Sequence, residues 1–180
     1  MDLLESLDLT FAHARNVVAG VRPDQYDDKT PCTEWPVRQL LEHMIGVVES
    51  LGAAASGRAP EPFTLDADPA AQIHAAATRA MAGWRTPGVL DRIVDAGPGP
   101  MPGRALASIN LLDTATHSWD LAVATGQPSA LPDDLATAAL DASHATISAE
   151  LRPGRFDAEV RAPTGATPTE ALVAFLGRTP

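Results

Sequence analysis

The stretch Ile109-Asn-Leu-Leu-Asp-Thr-Ala-Thr-His-Ser-Trp-Asp-Leu-Ala122 reads as the middle of a long helix and carries the least ordinary chemistry of the chain. Wound at about 100° per residue, it belongs to a helix from about Arg104 to Thr125 on which Leu106, Asp113, His117, Asp120 and Ala124 share one narrow stripe. Gly126 suits the C-terminal stop of that helix. The apolar ends of the stripe mark it as inward-facing, so its middle turns two carboxyl groups and an imidazole toward the core. Leaving such groups unsatisfied costs about 1–3 kcal/mol each even when they are neutral. Asp113 and His117 are four residues apart and point to one side. A cation would satisfy the whole set; a buried Asp–His hydrogen bond or a partly solvated helix face fits the same pattern.

A third ligand is available from a second helix. Val37-Arg-Gln-Leu-Leu-Glu-His-Met-Ile-Gly46 lies in a predicted helix from about Pro36 to Ala55, with Val37, Leu40, Leu41, Met44, Val48 and Leu51 on one stripe. Pro36 suits its first turn, where the missing N–H costs nothing. His43 flanks Leu40 and Val47 at the edge of the stripe, from where it can reach inward. His43, Asp113 and His117 would then form a two-histidine, one-carboxylate set, which leaves open positions on a metal.

The rest of the chain extends this helical pattern. Residues 2–20 read as an amphipathic helix through Leu3, Leu4, Leu7, Phe11, Ala14 and Val18, and residues 23–35 as a loop. After a Pro-containing loop from Gly57 to Asp68, a third helix is expected over about Pro69 to Arg85. Val89–Val94 reads as a short strand and Gly97–Gly103 as a turn-rich break. A fifth helix is predicted from about Pro132 to Leu151. Phe156–Val160 alternates like a strand that could pair with residues 89–94, and a short helix is expected near Thr169 to Gly177. The expectation is an all-α bundle with a short β-hairpin or small sheet and a C-terminal helix, one domain over 1–180, the bundle spanning about 2–151 and the tail 152–180.

Composition narrows the function classes. The net charge is −10, from 13 basic and 23 acidic residues, which argues against nucleic acid or an anionic membrane surface as partner. Cys32 is the single cysteine, so an internal disulfide and a Cys-rich zinc site are excluded. No apolar run approaches the ~20 residues of a membrane span. Met1-Asp-Leu-Leu-Glu5 lacks the basic-then-apolar order of a signal peptide, so a cytoplasmic protein is expected. Ala-rich helix faces leave a homodimer open. There is no Gly-rich phosphate loop and no Gly-x-Ser-x-Gly nucleophile elbow.

The remaining candidates have ordinary readings. His13 and His144 fall off the apolar faces of their helices and are expected to be solvated; His74 is an edge position. Cys32 precedes a helix, which lowers a thiol pKa, but a lone cysteine is more often a small packing residue. Trp35 and Trp119 are expected in the core or a pocket wall, and Arg38, Arg85 and Arg104 as solvated surface charges.

Two of these stretches resemble a known family. Thr30-Pro-Cys-Thr-Glu-Trp-Pro-Val-Arg-Gln-Leu-Leu-Glu-His43 is similar to a segment of the DinB/YfiT-like metal-binding bundles. More narrowly, it resembles the actinobacterial branch that includes the metal-binding domain of mycothiol-dependent maleylpyruvate isomerase. Asp113-Thr-Ala-Thr-His-Ser-Trp-Asp-Leu-Ala-Val-Ala-Thr-Gly-Gln127 resembles the second His-bearing segment of that branch, and Gly177-Arg-Thr-Pro180 its Gly-Arg-x-Pro ending. The resemblance implies a DinB-like four-helix bundle holding a divalent metal through His43, Asp113 and His117. In the isomerase the carboxylate is a glutamate; here Asp113 is shorter by one methylene. The isomerase also has a second, C-terminal domain that this chain is too short to hold, so its isomerase activity is not expected here.

The functional expectation is a metal-dependent enzyme that uses a small-molecule thiol. Zinc is the first expectation for the metal, with nickel, iron and manganese as others, and mycothiol is the expected co-substrate, added to an electrophilic substrate. Asp120, one turn beyond His117, would orient a ligand or a bound water from the second shell. The alternatives are a non-catalytic metal-binding module acting as a sensor or small-molecule binder, and a helical interaction protein in which Asp113 and His117 only share a hydrogen bond.

Overall fold

Asp2 opens the first helix, its side chain accepting the Glu5 N–H at 2.9 Å. This helix, α1 (Leu3–Ala19), buries Leu7, Phe11, Ala14, Val17 and Val18 along one stripe. In the computed structural model, which describes residues 1–33, 35–96, 99–148, 152 and 156–180, the later elements are α2 (Val37–Ala55), α3 (Pro69–Trp84), β1 (Ile93–Asp95), β2 (Pro100–Pro102), α4 (Gly103–Thr125), α5 (Asp133–Thr146) and α6 (Pro168–Phe175). A single 3-10 turn, Pro23–Gln25, interrupts the loop expected after α1. Among the described residues, no helix is long and apolar enough to cross a membrane.

The all-α bundle with a small hairpin is what the periodicity led us to expect. α1 packs on α3 and α4, and α2 packs on the same two helices, which closes a ring. α5 lies against α4, and α6 against α5. α4 is therefore covered by α1, α2 and α5 and is buried on nearly every side, from Leu106 and Leu111 to Leu121 and Ala122. On such a helix a polar group left without a partner is costly. α2 and α3 meet backbone to backbone: a Cβ on Gly52 would lie 2.3 Å from the Ala80 Cα.

Four expectations need correction. Pro36 stands one residue outside α2, as its N-cap, and bridges to Lys29. The strand expected over 89–94 begins only at Ile93, because residues 86–91 close turns through Val89 N–H to Thr86 O and Asp91 N–H to Gly88 O. Its partner is Pro100–Pro102, in register Ile93↔Pro102, Val94↔Met101 and Asp95↔Pro100, and not Phe156–Val160. The reason is loop entropy: reaching residue 156 would close a loop about four doublings longer, at a cost of roughly 2 kcal/mol. Residues 157–160 stay outside any strand, and the Val160 N–H donates instead to Ala174 O at the end of α6. The fifth helix ends at Thr146, where Ile147 turns extended (φ −97, ψ 99). Residues 149–151 of the predicted helix, and Gly97 and Pro98 of the predicted break, lie outside the described residues.

Candidate metal centre

His43 comes from the second turn of α2, and Asp113 and His117 from the middle of α4. The two helices pack together and bring three donor atoms into one space. His43 Nε2 lies 3.2 Å from Asp113 Oδ1, and His117 Nε2 lies 3.6 Å from the same oxygen. All three donors lie within 4.8 Å of one another. A divalent ion with bonds of about 2.1 Å holds neighbouring ligand atoms about 3.0–3.4 Å apart, so the two His–Asp edges are close to a coordination geometry. The other oxygen, Asp113 Oδ2, is buried and has no hydrogen-bond partner among the described residues. A bare carboxylate oxygen in a buried place is costly unless a cation or donor meets it. The residues present fit a divalent cation on both counts.

The electrostatics keep the carboxylate ionised. Burial alone would push the Asp113 carboxyl up, but the charge of His117, the hydrogen bond and charge of His43 and the charge of Arg178 outweigh it and hold the group below its usual range. His117 is steadied from behind: its Nδ1 lies 3.0 Å from Asp120 Oδ2. Asp120 is fully buried and also accepts from Arg178, Nε to Oδ1 at 3.3 Å and Nη2 to Oδ2 at 3.0 Å. Asp120 therefore faces the ring as an acceptor, so Nδ1 carries a hydrogen, and whenever the ring is neutral its lone pair sits on Nε2, on the side of Asp113 and His43. Burial alone would lower the Arg178 guanidinium; the hydrogen bond and charge of Asp120 outweigh it and hold the group above its ordinary value.

His43 is held differently. The loop before α2 is tied down by Thr30 Oγ1, which lies 2.8 Å from Cys32 O and 2.7 Å from Trp35 O, and by the Val37 N–H donating to Asp28 O at 3.0 Å. This sets the Trp35 ring on His43, centroids 4.3 Å apart and 27° from parallel. The two histidine rings meet edge to face at 5.0 Å.

The donors border a cavity of about 380 Å³, whose wall also includes Cys32, Trp35, Phe156, Asp157 and Arg178. Cys32, expected as a packing residue, is half-buried against the core and also borders this space. With His117 and Asp120 it makes a second triangle of ligand-type atoms. That triangle is already satisfied, since both Asp120 oxygens accept from Arg178 and one also meets His117. The His43–Asp113–His117 set, with its unpartnered oxygen, is the better cation site.

The other candidates lie elsewhere. Arg38 stacks over Tyr26, Arg85 pairs with Asp8 at 2.7 Å, and Arg104 lies 3.8 Å from Asp91. Trp119 is core. His74 is exposed beside Arg15, and His144 is exposed with its ring against Phe175. His13 departs from expectation: it is half-buried, and desolvation lowers its pKa. Sequence reasoning assigned no role to Arg178, although the Gly-Arg-x-Pro ending contained it. It was also silent on the stacking of Trp35 upon His43.

The mycothiol maleylpyruvate isomerase N-terminal domain family matches residues 7–122, a span that contains His43, Asp113, His117 and Asp120 but not Arg178. Two uncharacterized proteins of Mycobacterium tuberculosis, one from strain CDC 1551 / Oshkosh and one from strain H37Rv, are each 36% identical to the chain over 181 residues, covering 96% of it and 99% of themselves. No solved structure matches.

Proposed function

The chain belongs to the mycothiol maleylpyruvate isomerase N-terminal domain family, and from that premise we propose that it is a divalent-metal-dependent enzyme that transfers a small thiol of the mycothiol type to an electrophilic substrate. The observation that carries this reading is the meeting of His43 Nε2, Asp113 Oδ1 and His117 Nε2 on the wall of a cavity of about 380 Å³. Two neutral imidazoles and one carboxylate carry a charge of −1; the neighbouring Asp120–Arg178 pair adds nothing, while Asp157 on the cavity wall adds a further −1. A divalent ion together with its three ligands then carries one positive charge, which suits a monoanionic thiolate. When bound, the cation would lower the pKa of a thiol at its open side so that the thiolate is present near neutral pH. The chain's own residues do the rest. Asp120 holds the lone pair of His117 toward the site, Trp35 keeps the plane of His43, and Trp35 and Phe156 give the electrophile an apolar wall. Zinc is the first choice, and iron, nickel or manganese suits the same donors.

A second reading, a metal-binding module that senses or carries a small molecule, is favoured by one observation. The carboxylate of Asp120 is fully engaged by His117 and Arg178 and is not free to take a proton from a substrate. The test is elemental analysis of protein purified without a histidine tag, followed by thiol consumption with mycothiol and a panel of electrophiles. The enzyme reading expects bound metal and turnover lost in His117→Ala. Metal-loaded protein that is inert to every pair, yet shifts its melting point with a thiol, would leave the module. Protein that binds no divalent metal would remove both.

A further inference from the structure

Arg178 is the one cation on the wall of the metal cavity among the described residues, yet its guanidinium faces inward. Its side chain is only 10% exposed, and Nε and Nη2 grip both oxygens of Asp120 while Nη1 donates to Leu176 O at 2.9 Å. The local chain is built to deliver it there. Gly177 takes φ +87, a region that side chains avoid, and the next N–H, of Arg178, donates back to Val173 O at 2.8 Å. The turn that ends α6 thus sends Arg178 across 58 residues of sequence to a helix in the bundle. A fork of two N–H groups on one carboxylate fixes the plane of that carboxylate, which a single ammonium cannot do.

We infer that Arg178 is a positioning residue for the metal centre: it fixes Asp120, and Asp120 fixes the ring orientation and tautomer of His117. The inference rests on the metal reading of the site and reaches beyond the residues the family match covers. Without the fork, Asp120 loses the contacts that set its plane, and the Nδ1 side of His117 loses its stop. Outer partners of this kind change metal affinity by about 10- to 100-fold.

Two readouts test it. Zn²⁺ is titrated into the full chain against a chromophoric chelator for the wild type, Arg178→Gln, Arg178→Lys, Asp120→Asn and the double variant Arg178→Gln/Asp120→Asn. The expected result is a loss of about 10- to 100-fold in Arg178→Gln, only partial recovery in Arg178→Lys, and a double variant no worse than the weaker single one. Arg79→Gln, which breaks the ion pair with Glu49 on the α2–α3 face, is the control for general destabilisation and should leave affinity unchanged. The second readout needs no metal: ring ¹⁵N shifts of His117 in chelator-treated protein. The wild type should show the Nδ1–H tautomer, and Arg178→Gln should show a mixture. Affinity within about twofold of wild type in Arg178→Gln, losses that multiply in the double variant, or an unchanged tautomer would overturn the inference. Should Arg178→Gln not fold, Arg178→Lys and Asp120→Asn carry the same comparison. A wild type that binds no Zn²⁺ but loses its tautomer on Arg178→Gln would sink the metal reading alone.

Discussion

His117 and His43 offer the same atom to the same point, but the molecule supports them in opposite ways. The side chain of His117 is 9% exposed, with its far nitrogen on a fully buried carboxylate that is itself clamped by an arginine. The side chain of His43 is 27% exposed and leans on the face of Trp35. A hydrogen bond fixes rotation and tautomer; a stacked ring fixes a plane but leaves rotation within it free. Hydrogen-bonded support is a property of the interior, where α4 is covered on most sides, while stacking suffices at the edge, where α2 meets a loop. His117 is thus the fixed ligand and His43 the adjustable one.

That contrast can be broken in order of effect. His117→Ala should lose metal retention beyond ~100-fold, and His43→Ala by less, because an outside ligand can take the exposed position more readily than the buried one; equal losses by chelator competition would erase the distinction. Acid should release the metal as the pH falls from neutral, since protons compete with the cation for both Nε2 atoms. Asp113, held below its usual range because its histidine and arginine partners outweigh burial, stays ionised further into acid than an ordinary carboxyl, so release should precede its protonation. Metal content after dialysis across this fall in pH decides it. Asp120→Asn should weaken metal binding about 10- to 100-fold, whereas Trp35→Leu should cost less than about tenfold while broadening the His43 ring signals. At the small end, Arg85→Gln, at an exposed pair with Asp8 far from the donors, should change stability by no more than about 1 kcal/mol in urea and leave metal binding alone.

The readable half of the site is the half written into helix periodicity. Asp113, His117 and Asp120 lie within two turns of one helix, so their common face follows from spacing. His43 was legible from its place beside the apolar stripe of α2. Arg178 was not: its partner is 58 residues away, and nothing in the spacing of a C-terminal turn says where its side chain ends. Trp35 was read as a core or pocket-wall residue, but its stack on His43 depends on how Thr30 and Asp28 fold a loop with no period of its own. The same limit explains the hairpin. Local alternation suggested that residues 156–160 could pair with 89–94, yet pairing is decided by which partner is nearest along the chain, and the prolines at Pro100 and Pro102 concealed a strand.

The backbone contact at Gly52 has a consequence for the site it does not touch. It lies nine residues beyond His43 on the same rigid helix, a lever arm of about 14 Å, and it rests on Ala80 like a pivot. Any side chain added there must force α2 and α3 apart, and where α2 yields by tilting, the far end of the beam carries the adjustable ligand. Tuning of the centre can therefore come from a position with no chemistry of its own, through leverage alone.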